Sequence, residues 1–567
     1  MSFLHYLPPG SILILGGLII PLLKGRAKQA LMLALPVASF AHLLALPEGK
    51  LLEIAFFDMT LNPIRVDGLS LTFGYVFHIA AILGVIFALH VKDDMQLMAS
   101  MIYPGSTLGA LFAGDLATLF VYWEMMAIGS VFLIWAKRTN RAYRAGMRYL
   151  TIQVGSGVLL LAGILLHYAE TGSIEFTLLG TGSLGRNLIL LAIGIKSAFP
   201  LLNNWLQDTY PESTVTGTLF LSIFTTKLAV YALCRGFAGT EILIPIGAIM
   251  TATPIFFAVI ENDLRRVLTY SLNNQVGFMV CAAGVGTQMA INGAAAYAFC
   301  NIIFEGLLFM TMGAVLYRTG TIKGSELGGL YRTMPWTTTF CIIGAASISG
   351  FPFLNGFISK SLILEATAGE HHTIAFFVLL FASAGVFHHS GIKIPYFAFF
   401  AHDSGMRPKE APRHMLVAMG ISAALCIAIG SPWGAQYFYE FLPYPVNYEA
   451  YTTGHVVAYY QLIFFSALAF TALQLLGLYP PELKSVNLDT DWFYRRVGKN
   501  IALGIGRVIG IVQRWLAGFS VRRVYNAIDG VQRVYGPDGV FARTWPTGVT
   551  VFWVTVIFAV FLAAYYS

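Results

Sequence analysis

Residues 197–205 read Ser-Ala-Phe-Pro-Leu-Leu-Asn-Asn-Trp, and residues 349–357 read Ser-Gly-Phe-Pro-Phe-Leu-Asn-Gly-Phe. Five of the nine positions are identical, at an offset of 152 residues. Each copy lies in a long apolar stretch and carries a proline, Pro200 in one and Pro352 in the other. Proline lacks the N–H that bonds to the carbonyl four residues back, and its ring clashes with that turn, so each helix is expected to break there. The asparagines that follow, Asn203 and Asn355, are expected to satisfy backbone groups freed by the break.

The surrounding composition says what kind of helix is broken. Of 567 residues, 57% are hydrophobic and 11% charged, with a mean hydropathy of +0.70, whereas a soluble domain carries about 25% charged residues. No soluble domain hides that much apolar chain. The composition excludes a cytosolic enzyme, a disordered protein and a nucleic-acid binder, and it leaves an all-α polytopic membrane protein. The five cysteines stand singly in apolar runs and read as small hydrophobes, with no disulfide, zinc or iron–sulfur spacing. Pro8, Pro9 and Gly10 occupy the place of a basic signal region, so no cleavable leader is expected.

A spanning helix needs about 20 mostly apolar residues. Sixteen such stretches are expected: 5–23, 29–47, 67–91, 95–113, 115–136, 145–168, 186–208, 214–236, 241–260, 264–283, 289–317, 335–368, 373–400, 414–433, 455–478 and 546–566. With the N-terminus outside, seventeen Lys and Arg fall in inner loops, among them Lys24, Arg141, Arg265 and Arg413. Outer loops then hold four: Lys50, Arg65, Arg186 and Arg235. That bias is the positive-inside pattern, it accounts for the net charge of +7, and it puts both termini outside. Residues 51–66 read as a short outer hairpin. The segment 481–545 interleaves Arg495, Arg496, Lys499, Arg507 and Arg514 with Ile501, Ile505, Ile509 and Trp515, which predicts an amphipathic lateral helix on the inner face, too polar to span.

Five spans separate the two proline motifs, so the halves of the chain face opposite ways. Inverted repeats with matching broken helices mark an ion or substrate path at the bilayer midplane. The expected organisation is 1–94 for N-terminal helices and hairpin, 95–236 and 241–400 for the repeats, 401–480 for C-terminal helices, 481–545 for the lateral helix, and 546–567 for the last span.

Charges inside these spans supply the candidate chemistry. Lys196, Lys227, Lys360 and Lys393 fall within them, as do Glu124 and Glu305. One lysine at a helix centre costs about 2.5–3.5 kcal/mol on insertion scales. Four such residues are expected to pair, to face water or to carry protons. Glu124 has no partner nearby in sequence, and Lys196 is the expected one. His388 is a further candidate for a proton-carrying water chain. The pairs His371–His372 and His388–His389 do not read as metal sites, because neighbours on a helix point about 100° apart. Neither a metal nor a cofactor is expected: Gly504, Gly506 and Gly510 follow no strand, and no phosphate loop, nucleophile elbow or haem-ligand pattern occurs.

Several blocks resemble a known family. Gly194-Ile-Lys196-Ser-Ala, Trp205-Leu-Gln-Asp, Lys227-Leu-Ala-Val-Tyr, Asp263-Leu-Arg-Arg-Val-Leu-Thr-Tyr-Ser, Gly356-Phe-Ile-Ser-Lys360 and Asp115-Leu-Ala-Thr-Leu-Phe-Val-Tyr-Trp-Glu124 stand in the order found in antiporter-like subunits. These subunits are shared by Mrp-type multisubunit cation/proton antiporters and the membrane arm of respiratory complex I. The resemblance covers roughly residues 67–430. It implies two inverted five-helix repeats, spans 4–8 and 9–13, and proton conduction through Glu124, Lys196, Lys227 and Lys360.

The resemblance further implies a multi-pass protein of the bacterial inner membrane with other membrane subunits as partners. Its expected role is that of the D-type component of an Mrp antiporter, in Na⁺/H⁺ antiport. Two alternatives stay open: the pumping component of an NADH-quinone oxidoreductase-like redox complex, related to its L, M and N components, and the energising component of an inorganic-carbon uptake system. The chain has no redox centre of its own, so it would belong to an enzyme only as part of such a complex. Three departures stand out. The family usually has proline one position after Pro200, often has histidine in place of Asn203, and in the eleventh span commonly carries a histidine and a lysine where this chain has Asn301 and Glu305. Glu305 keeps a titratable group with the charge reversed, either as a proton carrier with altered coupling or as an attractor of a cation.

Overall fold

The computed structural model describes residues 6–480, 483, 487, 489, 492–540, 542 and 546–566. It forms two compact units, Met1–Asp489 and Thr490–Ser567. The first opens with α1 (Ser11–Ile19) and α2 (Gly25–Leu44), then the antiparallel hairpin β1 (Gly49–Phe56) and β2 (Met59–Val66). The hairpin expected at 51–66 is therefore present. It closes the joint between α4 (Asp94–Leu111) and α5 (Leu116–Trp135), where the Asn62 N–H donates to Asp115 at 2.7 Å and the Arg65 N–H to the Phe112 carbonyl at 2.7 Å. Between hairpin and α4 lies α3 (Gly68–Ala88), with a capping box of Asp67 and Ser70.

The first repeat continues from α4 and α5 through α6 (Asn140–Thr171), α7 (Leu184–Lys196), the short α8 (Asn204–Thr209), α9 (Val215–Ile223) and α10 (Thr225–Gly236). The second runs through α11 (Leu243–Ile260), α12 (Leu264–Val285), α13 (Gln288–Thr319), α14 (Pro335–Ile348), α15 (Asn355–Gly369), α16 (Thr373–Val386) and the one-turn α17 (Lys393–Pro395), flanked by two π-helical turns. The repetition is written in the helix ends. Asp115 caps α5 and Asp263 caps α12; Thr139 caps α6 and Thr287 caps α13. Both α6 and α13 have 32 residues and stop at a left-handed glycine, Gly172 at φ 70° and Gly320 at φ 76°. A side-chain oxygen at the N-cap takes up an otherwise orphaned N–H, and glycine adopts positive φ without a Cβ clash. Each pair is 148 residues apart. Asp115 bridges to Glu175 and Asp263 to Lys323 at the same spacing.

The unit ends with α18 (Arg413–Gly430), α19 (Pro432–Glu440) and α20 (Thr453–Leu475). Helix occupies all sixteen expected spans. Twelve described helical stretches are long and apolar enough to cross a membrane, eleven of them at expected spans. The other five expected spans are short, interrupted, or, like α12, loaded with polar residues. The twelfth stretch is Arg496–Tyr535, so the expectation that this segment is too polar to span is not met by length and apolarity. Three interruptions go beyond the sequence reading: Phe224 between α9 and α10, and the π turns on either side of α17. At the hub sits α13, almost wholly buried.

The second unit comprises a π-helical turn at Phe493–Gly498, α21 (Lys499–Tyr535, 37 residues) and α22 (Thr547–Tyr566). The Arg495 side chain and residues 481, 482, 484–486, 488, 490, 491, 541 and 543–545 of the expected lateral segment lie outside the described residues.

Candidate proton path

Both proline motifs form real breaks with one backbone plan. Helix α7 stops at Lys196, four residues before Pro200, and α14 stops at Ile348, four before Pro352. In each break the residues two before and one after the proline are left-handed: Ala198 (φ 61°) and Leu201 (φ 69°), then Gly350 (φ 79°) and Phe353 (φ 73°). Three of these four carry a Cβ, a strained choice that persists only where the surroundings hold it.

The first break is not repaired by Asn203, whose side chain makes no capping bond. The Trp205 indole does that work by donating to the freed Ile195 carbonyl at 2.9 Å. Nor does Asn355 repair the second break: it accepts from the Ser347 hydroxyl, its amide nitrogen is without a protein partner, and the freed Ile348 carbonyl is taken by Lys360.

Lys196 is fully buried at the end of α7. Its Nζ donates to the Trp123 carbonyl at 2.7 Å and lies 4.3 Å from the centroid of the Trp123 ring, over its face. A desolvated ammonium over an indole gains about 2 kcal/mol. The ring is fixed in turn: Trp123 Nε1 donates to Ser156 at 3.2 Å, and Ser156 donates to the Ala192 carbonyl at 2.7 Å. Glu124 is the next residue on α5, but among the described residues it makes no ion pair with Lys196 within 4.0 Å. Its Oε1 is buried without a protein partner and points at Gly157 of α6, where a Cβ would overlap it. The expected pair is therefore not in direct contact: the ammonium donates to the Trp123 carbonyl, and the carboxylate lies against Gly157 of α6.

Lys227, also fully buried, lies three residues past the interruption at Phe224. Its Nζ donates to the Ser222 carbonyl at 2.8 Å and faces Glu305 Oε2 of α13 at 3.5 Å. The structure thus gives Glu305 a partner that the sequence reading did not assign. Both side chains are buried, and Glu305 Oε1 is without a protein partner.

Lys360 is fully buried on α15 and reaches back across its own break. Its Nζ donates to the Ile348 carbonyl at 3.1 Å and to Ser383 at 3.2 Å, with the Phe278 ring centroid 5.5 Å away. Lys393 has a different setting: its Nζ donates to the carbonyls of Ala258, Val259 and Glu261 at 3.2, 2.7 and 2.7 Å, closing the C-terminus of α11 as a cationic cap. His388 stacks on Tyr479 with centroids 5.4 Å apart and meets Phe470 edge-on at 5.1 Å.

Buried hydroxyls and amides run between the lysines, and most escaped the sequence reading. Tyr103 and Thr225 share a hydrogen bond of 2.6 Å, two residues before Lys227. Beyond Glu305, Asn301 lies one turn back on α13 with its whole amide buried and without a protein partner. One turn further, Tyr297 donates to Gln275, whose amide donates to Asn274 at 2.9 Å. The visible signal was the run Ser271-Leu-Asn-Asn-Gln275 in an apolar span. Among the described residues, no cluster of His, Cys, Asp and Glu could hold a metal, and all five cysteines are free and buried.

The family described as NADH:quinone oxidoreductase/Mrp antiporter, TM, matches residues 113–401. The chain is 34% identical over 315 residues to the D-type Na⁺/H⁺ antiporter subunit of Alkalihalophilus pseudofirmus, covering 52% of this chain and 63% of that one. It is 28% identical over 428 residues to hydrogenase-4 component B of Escherichia coli, covering 67% and 63%. The chain thus spans less than two thirds of the length of these two relatives. A chain in the structure of the membrane-bound sulfane sulfur reductase, an archaeal respiratory membrane complex, superposes with a TM-score of 0.68 at 20% identity, over 98% of this chain and 99% of that one. This last likeness is one of fold.

Proposed function

The chain belongs to the NADH:quinone oxidoreductase/Mrp antiporter family, and from that premise we propose that it is the proton-translocating membrane subunit of a multisubunit monovalent cation (Na⁺)/H⁺ antiporter. The observation that carries the reading is the placing of three fully buried ammonium groups, each donating to a main-chain carbonyl at or beside a helix interruption or to the neighbouring helix. Carbonyls lower the cost of a charge in lipid without fixing it there, as a carrier requires.

Protons pass along Glu124, Lys196, Lys227, Glu305 and Lys360. The gate at the first step is an exchange of acceptors: the Lys196 ammonium leaves the Trp123 carbonyl for the Glu124 carboxylate on the adjacent residue. Lys227 then receives the proton while Glu305 balances its charge. Partner subunits in the membrane supply the rest of the antiporter, and both termini lie on the outer side. The test is reconstitution of the purified complex in vesicles with a pH-sensitive dye. Lys196→Ala is expected to abolish cation-dependent proton flux while the complex still assembles, and undiminished flux in that variant would overturn the reading.

A second reading, a redox-driven pump, is favoured by the near-complete superposition on a subunit of an archaeal respiratory complex. Iron–sulfur and quinone-reactive proteins co-purifying with the chain would select it, and small membrane partners alone would select antiport.

A further inference from the structure

The segment that follows the family match folds back over the second break. Tyr439 donates to the Ile358 carbonyl at 2.9 Å, and the Phe353 N–H donates to the Tyr451 hydroxyl at 3.2 Å. The Phe357 ring is surrounded by Tyr451, His455 and Tyr459 at centroid distances of 5.2, 5.4 and 5.0 Å. Tyr459 is the deepest of these, and its buried hydroxyl is without a protein partner.

Gly350 stands between Tyr459 and Lys360. A Cβ on this left-handed residue would stand 3.2 Å from Tyr459 Cε1 and 3.8 Å from Lys360 Nζ. The absent side chain leaves one space open to both. Outward from Tyr459, the His455 ring lies 5.3 Å away, and His455 Nδ1 is 3.0 Å from the Tyr448 hydroxyl and 3.0 Å from the Ala450 carbonyl. Tyr448 lines an open cavity of about 780 Å³ that also carries Glu440 and Glu449, at the end of α18 remote from Arg413.

We propose that protons enter or leave the Lys360 end of the path through Tyr459, His455 and Tyr448, with the cavity of Glu440 and Glu449 as its aqueous mouth. The inference rests on the proton-path reading above. In the outward direction Lys360 gives a proton to the Tyr459 oxygen as that hydroxyl passes its own hydrogen to His455. His455 takes it on Nε2 and releases the Nδ1 proton to Tyr448 and the cavity, so each group regains its starting charge, Lys360 is left as the neutral amine, and the imidazole resets its tautomer before the next proton. The two carboxylates hold positive charge at the mouth.

The test uses the whole complex in vesicles. Tyr459→Phe and His455→Ala are each expected to cut proton flux by roughly tenfold or more, the scale of losing a positioned proton-transfer group. Millimolar imidazole is expected to restore flux to His455→Ala, a rescue that a merely structural role would not show. If Lys360→Ala is inactive while Tyr459→Phe and His455→Ala keep full flux, the exit is overturned and the proton-path reading survives. If Lys360→Ala keeps full flux, the proton-path reading itself falls. Should the aromatic variants fail to assemble, Glu449→Cys offers an independent arm, because the native cysteines are buried. A membrane-impermeant, disulfide-forming reagent at the mouth is expected to lower flux reversibly, and full flux after complete labelling would overturn the exit.

Discussion

In the first repeat the lysine precedes the interruption: Lys196 ends α7, and its ammonium crosses to a carbonyl of α5 beside Glu124. In the second it follows: Lys360 sits in α15 and turns back to the last carbonyl of α14, donating to that carbonyl and to a hydroxyl, with no carboxylate paired to it among the described residues. Between them Lys227 faces a full carboxylate. The backbone plan repeats, left-handed residues included, while the compensation of charge does not. Removing a proton from Lys227 strands the charge of Glu305, whereas removing one from Lys360 strands none. The recurring feature is thus the broken helix, and the individual one is what balances the charge beside it.

The sharpest test of that contrast is Lys227→Met, which leaves Glu305 buried and uncompensated. It is expected to lose flux and to destabilise the protein by about 3–5 kcal/mol, the cost of breaking a buried pair from one side. Adding Glu305→Leu is expected to recover most of the melting temperature and none of the flux. Lys360→Met is expected to lose flux equally but only about 1–3 kcal/mol of stability, since its partners are neutral. Equal melting-temperature losses in the two variants would break the comparison.

Gly157→Ala places a methyl where the Glu124 carboxylate lies and is expected to cost about 1–3 kcal/mol by overpacking, with a several-fold drop in flux. Normal flux would remove Glu124 from the gate. The smallest effect on flux is expected for Lys393→Met, which removes the cation from three buried carbonyls at a cost of about 1–3 kcal/mol and leaves flux near wild type.

The spans were legible because the bilayer imposes one length and one apolar composition on all of them. Lys196, Lys227 and Lys360 were legible because a charge in such a stretch is conspicuous. The Lys227–Glu305 pairing was not, since 78 residues separate the two and only the packing of α10 on α13 brings them together. Nor was the role of Trp205: an indole in an apolar run reads as packing, and its carbonyl partner exists only once α7 has stopped. The turn at Phe224 carries no proline and left no mark in the sequence, whereas Pro395, which ends α17 just before the second π turn, was a mark the sequence reading passed over. Tyr459 and His455 escaped because their helix is remote in sequence from the break it covers.

The length of α6 has a further consequence. At 32 residues it measures about 48 Å at 1.5 Å per residue, against a hydrocarbon thickness of about 30 Å. Its outward flank bears Ile152, Val158, Leu161 and Leu165, so the excess has to be met by leaning or by standing proud of the lipid. Gly157, against which the Glu124 carboxylate rests, lies mid-way along that rod. Acyl-chain length therefore becomes a handle on the molecule, since thicker or thinner vesicles would tip α6 and shift the seat of that carboxylate with no residue changed.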